Sequence, residues 1–417
     1  MKTKTKEEEN IDYILGIDFG TTLSCAAIII NDKLEVVQDP YSEERIIPSV
    51  VCYKENGQIL VGTDALNNKI EYVQSTIFEC KRFIGHKSDD ETIQGDLKKW
   101  PVPLVDDKES GYLIFVMKID GKEKRILPDD VMAELVNHLK NNAEKFIKKK
   151  INKEVKLKNA VITVPTHFKR RVKKYQDIVE KKCNLKVLEV LREPVAAGVA
   201  FGYIHKSNKE RKVLIFDVGG GTCGFSVIKI KEDDFKVLAI TGEGHTGTED
   251  FEKRLIDYIK KEIKKKKEFK NLDFDKKDVK TFRAFLKIKE EAGKTVINLS
   301  MDKNVTFSID DLYGNEDFSI KINRDFYISL CDDLWENINH SLEDAIKMAE
   351  LKHENITDIV LVGASSRTPG IHDFLKKKFP NKEPLQNINP NEAVAQGAAI
   401  AKYKGIAFQN KHVVYGK

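Results

Sequence analysis

The sequence LGIDFGTT at residues 15–22 has a counterpart, LIFDVGGGT, at residues 214–222. Each copy is an apolar strand with an aspartate near its end, Asp18 or Asp217, followed by a turn rich in glycine and threonine. A second strand-like segment follows each turn. Such self-similarity indicates an internal repeat. We therefore predict an α/β chain with two similarly built lobes, each containing a β-hairpin with a glycine-rich tip.

Each hairpin tip has the composition of a phosphate-binding loop. Glycine allows the backbone to approach a ligand closely, and successive backbone N–H groups form a concave site for an anion. The aspartate before each tip would repel phosphate, so the pair makes chemical sense with a divalent cation between them. Mg²⁺ needs only a few carboxylates and keeps several waters. The hairpins therefore predict a magnesium–nucleotide complex in a cleft between the lobes. The alternative is two ordinary tight hairpins.

The composition is that of a globular protein. Of the 417 residues, 41% are hydrophobic and 33% are charged, and 71 basic residues against 66 acidic ones leave a net charge of +5. These values argue against collagenous, low-complexity and membrane-embedded classes, and so weak a field does not demand a nucleic-acid partner. The six cysteines contain no C-x-x-C pair, which predicts free buried thiols in a reducing compartment. Because the N-terminus has no apolar signal segment, we expect a cytoplasmic protein that binds no membrane.

Two stretches also satisfy the G-x-G-x-x-G pattern of dinucleotide-binding folds, at residues 219–224 and 242–247. The first is followed by a predicted strand where that fold needs a helix. The helix after the second is not followed by a strand that ends in an acid. The sequence Gly293-Lys294-Thr295 imitates the end of a P-loop, but Ile288 occupies the first glycine position, so we reject it. A dinucleotide-dependent enzyme is therefore only a remote alternative.

Eight segments together resemble the ATPase domain of the 70-kilodalton heat-shock chaperones, the heat shock protein 70 family of the actin-like ATPase superfamily. The resemblance extends from about residue 14 to residue 403, and all eight segments occur in the family's order. It implies the actin-like ATPase fold, in which each lobe has a ribonuclease-H-like mixed sheet flanked by helices and the nucleotide lies between the lobes. The segments are GIDFGTT (16–22), CKRFIG (80–85), AVITVP (160–165), REPVAA (192–197), IFDVGGGT (215–222), EDF (249–251), IVLVG (359–363) and EAVAQGAA (392–399).

The resemblance also divides the chain. We expect a disordered tail (1–10), lobe I (11–205), lobe II (206–390), a C-terminal helix that returns to lobe I (391–405) and a second tail (406–417). No peptide-binding domain is expected within these residues. The chain is therefore either the ATPase piece of a longer protein or a short relative that works with another chaperone, for example at the ribosome.

The resemblance implies a role for individual side chains. Lys81 would help to place the attacking water, Glu193 would polarise it, and Asp217 and Thr222 would complete the catalytic set. Asp18 and Asp217 would hold Mg²⁺ through waters, with K⁺ as a further candidate ion. On a helix predicted at 278–295, Glu291 and Lys294 fall one turn apart and would face the base and ribose. Residues expected to contact ATP or ADP are Gly20, Thr21, Thr22, Leu23, Gly219, Gly220, Gly221, Gly247, Glu291, Lys294, Thr295, Asn298, Gly363, Ala364, Ser365 and Arg367, the last by stacking on adenine.

The sequence departs from the family pattern close to the nucleotide. Gly224 stands where the family has a second acid, Thr248 where it has the second of two glycines, and Asn391 where an acid closes the adenine pocket. Asn298 replaces a serine by the base, and residues 169–170, Lys-Arg, replace an Asn-Asp pair. These changes put the rate of hydrolysis in question more than the binding of ATP.

Two hypotheses follow from the retained and the altered residues. The first is an ATP-binding, slowly hydrolysing domain of a heat-shock-type chaperone that acts in protein folding and the stress response. It would be a monomer, and the resemblance implies a J-domain co-chaperone and a nucleotide-exchange factor as partners. The second is a non-hydrolysing, ATP-bound partner or regulator of another chaperone. Lys81 and Glu193 favour the first hypothesis, whereas Gly224 and Asn391 favour the second.

Overall fold

The computed structural model describes residues 12–97, 102–166, 168, 171–276, 278–363, 368–385, 388–406 and 414–415. The strands are β1 (Ile14–Phe19), β2 (Leu23–Ile30), β3 (Lys33–Val36), β4 (Ile46–Pro48), β5 (Val50–Tyr53), β6 (Ile59–Val61), β7 (Thr76–Phe78), β8 (Leu104–Asp106), β9 (Leu113–Ile119), β10 (Lys122–Ile126), β11 (Asn159–Val164), β12 (Lys186–Arg192), β13 (Arg211–Val218), β14 (Thr222–Lys231), β15 (Asp234–Gly244), β16 (Asn304–Tyr313), β17 (Glu316–Asn323), β18 (Asp358–Val362) and β19 (Val414–Tyr415).

The helices alternate with these strands, as expected for an α/β chain. They are α1 (Thr63–Asn68), α2 (Gln94–Leu97), α3 (Pro128–Ile151), α4 (Val172–Cys183), α5 (Glu193–Ile204), α6 (Thr248–Lys264), α7 (Val279–Met301), α8 (Arg324–Ser329), α9 (Asp332–Met348), α10 (Ile371–Lys378) and α11 (Ala393–Tyr403). Among the described residues, no helix is both long enough and apolar enough to cross a bilayer.

Both predicted hairpins form, each in the middle of its own mixed sheet. In the first sheet, β1 pairs antiparallel with β2 and parallel with β11, which pairs parallel with β12. In the second sheet, β13 pairs antiparallel with β14 and parallel with β18, and β15 continues the antiparallel side. Each sheet therefore contains its own hairpin, and the first strand of that hairpin also pairs with a parallel strand. This common topology confirms the internal repeat and is that of the predicted actin-like ATPase fold.

Strand β19 adds to the edge of the second sheet. Val414 lies opposite Ala239, and Tyr415 lies opposite Ile240, in a parallel pair. Both residues belong to the predicted C-terminal tail, 406–417, which stays a prediction. The edge of β15 offers them unpaired backbone groups.

Helices α5 and α11 pack together between the two sheets. Both are rich in alanine and glycine, and nearly all their side chains are buried. At Gly397 an added Cβ would lie 1.7 Å from the carbonyl oxygen of Ala196, so only glycine allows this crossing. At Gly16 an added Cβ would lie 2.4 Å from the backbone nitrogen of Ala399. Because both contacts involve α11, they fix the position of the first hairpin relative to α5.

Two predicted helices differ in extent from those observed. The helix predicted at 278–295 continues to Met301, because Val296 and Leu299 extend its buried face. The helix predicted at 324–350 is divided into α8 and α9. The break follows from the backbone of Cys331, which leaves the helical region at φ −110° and ψ 14°. All six cysteines are free and buried, as predicted.

Candidate functional site

The tips of the two hairpins touch each other. At Gly220 an added Cβ would lie 2.3 Å from Thr22 Oγ1, so glycine is required for the contact. The first tip is anchored by the Ser49 hydroxyl, which donates to the Gly20 carbonyl at 2.9 Å. In the second, the Gly219 N–H donates to the Thr222 carbonyl at 2.9 Å and closes the turn. The internal repeat thus brings two backbone loops face to face.

A cavity of about 60 Å³, here the cleft cavity, lies between these tips. It brings together twelve of the predicted site residues: Asp18, Gly20, Thr21, Thr22, Leu23, Lys81, Glu193, Asp217, Gly219, Gly220, Thr222 and Gly363. Asn391, which was identified as a departure from the family pattern, also lines it. Sequence reasoning missed Ser24, Ile46, Pro390 and Val394. Of these, Ser24 carried a signal, because it is the second residue after the first tip, in a strand whose other side chains are mostly apolar.

Lys81 and Glu193 form a buried ion pair at the wall of the cleft cavity. The Lys81 ammonium lies 2.8 Å from Glu193 Oε1 and also donates to the carbonyl of Phe19. Lys81 comes from a single helical turn after β7, and Glu193 is the first residue of α5. Only 3% of the Lys81 side chain is exposed, which excludes an ordinary surface ion pair.

The cleft cavity has more acidic than basic side chains, because three carboxyl groups share one ammonium. Burial raises the pKa of Asp18 from 3.8 to about 7, and the charge of Glu193 adds to this, while Lys81 and the Thr163 hydroxyl oppose it. Burial, Glu193 and Asp18 likewise raise the pKa of Asp217 well above its usual value. Unbalanced carboxylates of this kind are typical of a cation site. Among the described residues, no three His, Cys, Asp or Glu side chains are arranged to coordinate a metal directly.

Gly363 brings β18 into contact with the carboxylate of Asp217. Its φ is +74°, and an added Cβ would lie 2.9 Å from Asp217 Oδ1. The Gly363 N–H donates to the Pro390 carbonyl at 2.9 Å. The next predicted contacts, Ala364, Ser365 and Arg367, lie outside the described residues, and so do residues 169–170. Their predicted roles remain predictions.

The N-terminus of α6 supports the second tip from behind. The backbone N–H groups of Thr248 and Glu249 donate to the carbonyls of Gly219 and Gly220 at 2.9 and 2.8 Å. At Gly247 an added Cβ would lie 2.4 Å from the Gly220 carbonyl oxygen. Gly247 and Thr248 therefore position the tip and do not line the cleft cavity.

A larger cavity of about 350 Å³, here the α7 cavity, adjoins the first tip. Lys294 lines it, and the Lys294 ammonium lies 3.0 Å from Glu290 Oε1. Glu290 also pairs with Lys69 at 2.9 Å. Glu290 lies four positions before Lys294 and Glu291 three, and both spacings share a helix face. The prediction that Glu291 and Lys294 face the base and ribose stays a prediction. Glu291, Thr295 and Asn298 line neither cavity, and Thr295 is completely buried.

Gly224 lies directly opposite Asp217 in the hairpin β13–β14. Opposed residues in an antiparallel pair project from the same face of the sheet. The backbone φ of Gly224 lies outside the region that favours glycine, and an added Cβ would have Thr166 Cγ2 as its nearest neighbour, at 3.3 Å. An acidic side chain at this position would therefore share a face with Asp217 with only local adjustment.

Comparison with known proteins identifies the family. A family model described as Hsp70 protein matches residues 14–408. Heat shock cognate 70 kDa protein 3 of Dictyostelium discoideum is 34% identical over 392 residues, which cover 93% of this chain and 59% of that protein. Heat shock 70 kDa protein 2 of Paracoccidioides lutzii is 33% identical over 387 residues, which cover 93% of this chain and 56% of that protein. The chain thus spans less than two thirds of the length of these relatives. With the paired hairpins and the carboxylate-rich cleft, these matches show that the chain belongs to the Hsp70 family.

Proposed function

We propose that this chain binds ATP with Mg²⁺ between the two hairpin tips and hydrolyses it slowly, as the ATPase part of a heat-shock-type chaperone. The observation that carries the proposal is the convergence of both repeats on one cavity that holds Asp18, Asp217, Glu193 and Lys81. Two glycine-rich tips offer backbone N–H groups to phosphates, and the carboxylates offer negative charge to a cation. A pair of ordinary hairpins would not need the buried charges.

The residues of the cleft cavity divide into three roles. Residues 20–22 and 219–222 would hold the phosphates by backbone N–H groups and threonine hydroxyls. Asp18 and Asp217 would accept hydrogen bonds from the waters of Mg²⁺, which supplies charge neutralisation when bound, and K⁺ is a second ion that this negative site could hold. Lys81, fixed by Glu193, would place the attacking water. Phosphoryl transfer requires mainly such placement and charge stabilisation.

Asn391 and Gly224 support a second candidate, a nucleotide-bound partner that does not hydrolyse ATP. Asn391 lines the cleft cavity with an uncharged side chain, and Gly224 leaves the face of Asp217 without a second acid. Single-turnover ATP hydrolysis separates the two candidates. For either candidate function, we propose a cytoplasmic monomer whose partners are a J-domain co-chaperone and a nucleotide-exchange factor. The second candidate would act on another chaperone or at the ribosome.

The first test is thermal unfolding with and without MgATP. A ligand held by both hairpins should stabilise the folded chain by about 2.7 kcal/mol at a hundredfold excess over its dissociation constant. ATP with excess chelator is the control for the metal. A folded protein whose melting temperature does not change in millimolar MgATP would contradict nucleotide binding.

Affinity for MgATP is expected to rise about tenfold between pH 6 and pH 8. Asp18 must be ionised to face the cation. In the chain without the cation, however, burial raises the pKa of Asp18 to about 7. Binding at pH 6 must therefore displace a proton. For the same reason, Asp18 lowers the free energy of unfolding as the pH rises from about 4 to about 7, since the unfolded carboxyl ionises first. Calorimetric titration in two buffers of different ionisation enthalpy would measure the released proton, and an affinity independent of pH would refute this role for Asp18.

Gly224→Asp should accelerate ATP hydrolysis if the missing acid limits the reaction. A gain of about tenfold corresponds to about 1.4 kcal/mol of transition-state stabilisation. Because the backbone φ of residue 224 is accessible to aspartate, backbone strain would not account for a failure, although Thr166 Cγ2, 3.3 Å from the new Cβ, would have to move slightly. Gly224→Asn is the matched control without charge. A folded Gly224→Asp variant that binds MgATP and turns over no faster would show that another feature limits the rate.

A further inference from the structure

A third cavity, of about 400 Å³, lies on the other side of Lys81 from the carboxylates. We call it the basic cavity. It shares Thr21, Lys81 and Thr222 with the cleft cavity. Its wall is completed by charged and titratable side chains that the proposed function has not used: Arg82, His86, Asp90, Arg171 and His245. The two cavities therefore adjoin at Thr21, Lys81 and Thr222.

The two cavities differ in the charge that is left unpaired. In the cleft cavity three carboxyl groups share the ammonium of Lys81. In the basic cavity Lys81 is paired with Glu193 at 2.8 Å, and Arg82 is paired with Glu79 at 2.9 Å and Asp250 at 3.7 Å. Arg171 forms no salt bridge with a described residue and contacts a neutral partner, His86. Asp90 is occupied locally, since its carboxylate contacts His86 Nδ1 and accepts from the Thr92 N–H at 3.0 Å and the Thr92 hydroxyl at 2.6 Å. The guanidinium of Arg171 is therefore the positive charge that is available to an anion on the far side of Lys81.

Arg171 is held in place by two contacts. Its guanidinium lies 3.9 Å from the centre of the Phe168 ring and donates to His86 Nε2. Burial and the charge of Arg171 lower the pKa of His86, so this imidazole is neutral, with Nε2 as acceptor and Nδ1–H directed at Asp90. The row Asp90–His86–Arg171 fixes a guanidinium at the wall without neutralising it. A guanidinium that is fixed in this way suits the paired oxygens of a phosphate.

Arg82 and His245 form the opposite wall. Arg82 donates to Glu79 at 2.9 Å, and its guanidinium would be 3.2 Å from a Cβ on Gly221, behind the second hairpin tip. Arg82 Nη1 lies 3.2 Å from His245 Nδ1. His245 has a positive φ of 55°, which directs the chain around the cavity. The basic side chains therefore come from three separate segments, the turn after β7, the start of α4 and the connection between β15 and α6, and meet only in the folded protein.

We propose that the basic cavity binds inorganic phosphate, which reaches it from the cleft cavity past Lys81 and Thr222. The proposal deepens the proposed function and rests on it, since the phosphate is the product of ATP hydrolysis. Phosphate is small enough for the cavity and carries the charge that the carboxylates of the cleft cavity repel. Arg171 is its principal ligand, with Arg82 and the imidazole of His245 beside it.

The experiment is calorimetric titration of inorganic phosphate into the MgADP complex. Arg171→Ala should raise the dissociation constant of phosphate at least tenfold, which is about 1.4 kcal/mol, and Arg171→Lys should raise it less. Arg125→Ala, which removes a half-exposed arginine from β10, is the control and should change nothing. Thermal unfolding establishes that each variant is folded, and His86→Gln replaces Arg171→Ala if the latter is not.

Two results would overturn the proposal. The first is phosphate binding that Arg171→Ala leaves unchanged while Lys81→Ala abolishes it, since phosphate would then occupy the cleft cavity alone. The second is no phosphate binding by a complex that does bind MgADP. If MgADP itself does not bind, the proposed function fails. Titration of phosphate into the nucleotide-free chain and its Arg171→Ala variant then tests separately whether the basic cavity binds phosphate.

Discussion

Lys81→Ala is expected to slow single-turnover ATP hydrolysis by about a hundredfold or more, with ATP affinity within a few-fold of the parent. Lys81 is the one basic side chain of the cleft cavity among its described lining residues, and it is buried against Glu193 at 2.8 Å. Its charge is fixed beside both hairpin tips before any nucleotide arrives. An interaction made mainly in the transition state lowers the rate of chemistry and leaves ground-state binding almost unchanged.

The measurement is acid-quenched single turnover with excess enzyme, beside calorimetric binding of MgATP. Lys122→Ala, on the exposed face of β10, is a matched control for the loss of a lysine. Lys81→Ala also leaves Asp18, Asp217 and Glu193 without their ammonium, so we expect its stability to depend more strongly on Mg²⁺ than that of the parent. Equal rates in variant and parent would remove Lys81 from the catalytic residues and favour the partner that does not hydrolyse ATP.

The fold and the cleft cavity could be predicted because their signal is local. A strand, an aspartate and a glycine-rich tip are adjacent in the sequence, and the second copy shows that the pattern is repeated. The residues of the tips, including Thr22 and Gly220, therefore meet where the repeat places them. Lys81 and Glu193 depended on the family resemblance, because no spacing rule relates two residues that are 112 positions apart.

Other features could not be predicted, because they depend on packing between distant segments. The choice between Glu290 and Glu291 beside Lys294 depends on how α7 is rotated against the first tip, and both spacings are compatible with a helix. Arg171 and His86 gave no signal in the sequence, since isolated basic residues usually belong to a solvated surface. Their orientation toward one cavity follows only from the contact between α4 and the turn after β7.

A cluster of buried charges joins α6 and α7 to the turn after β7. The Lys289 ammonium contacts the carboxylates of both Glu79 and Glu249. Burial alone would raise the pKa of Glu79, but Lys289 and Arg82 more than reverse this and hold it at about 2. Burial and the charge of Glu79 raise the pKa of Glu249 to about 8. Lys289 therefore binds together carboxylates that would otherwise repel one another at the edge of the α7 cavity.

Lys289→Ala should lower the free energy of unfolding by about 3–5 kcal/mol, because it leaves buried carboxylates without their cation. Chemical denaturation at neutral pH measures the loss. Lys280→Ala, at an exposed position on the same helix, should change stability by less than about 0.5 kcal/mol.

The pH dependence distinguishes lost charge compensation from lost packing. Without Lys289 the folded pKa of Glu79, about 2 with the lysine present, and that of Glu252, about 7, should rise. The variant loses stability relative to the parent as the pH rises through the interval between the two folded pKa values of the same carboxyl, and this loss disappears as the pH falls below the lower value. The difference between Lys289→Ala and the parent should therefore shrink between pH 8 and pH 5. Lys289→Met, which keeps most of the side-chain volume, should show the same trend. A loss that is equal at both pH values would mean that Lys289 contributes packing, and that the charge cluster does not hold these segments together.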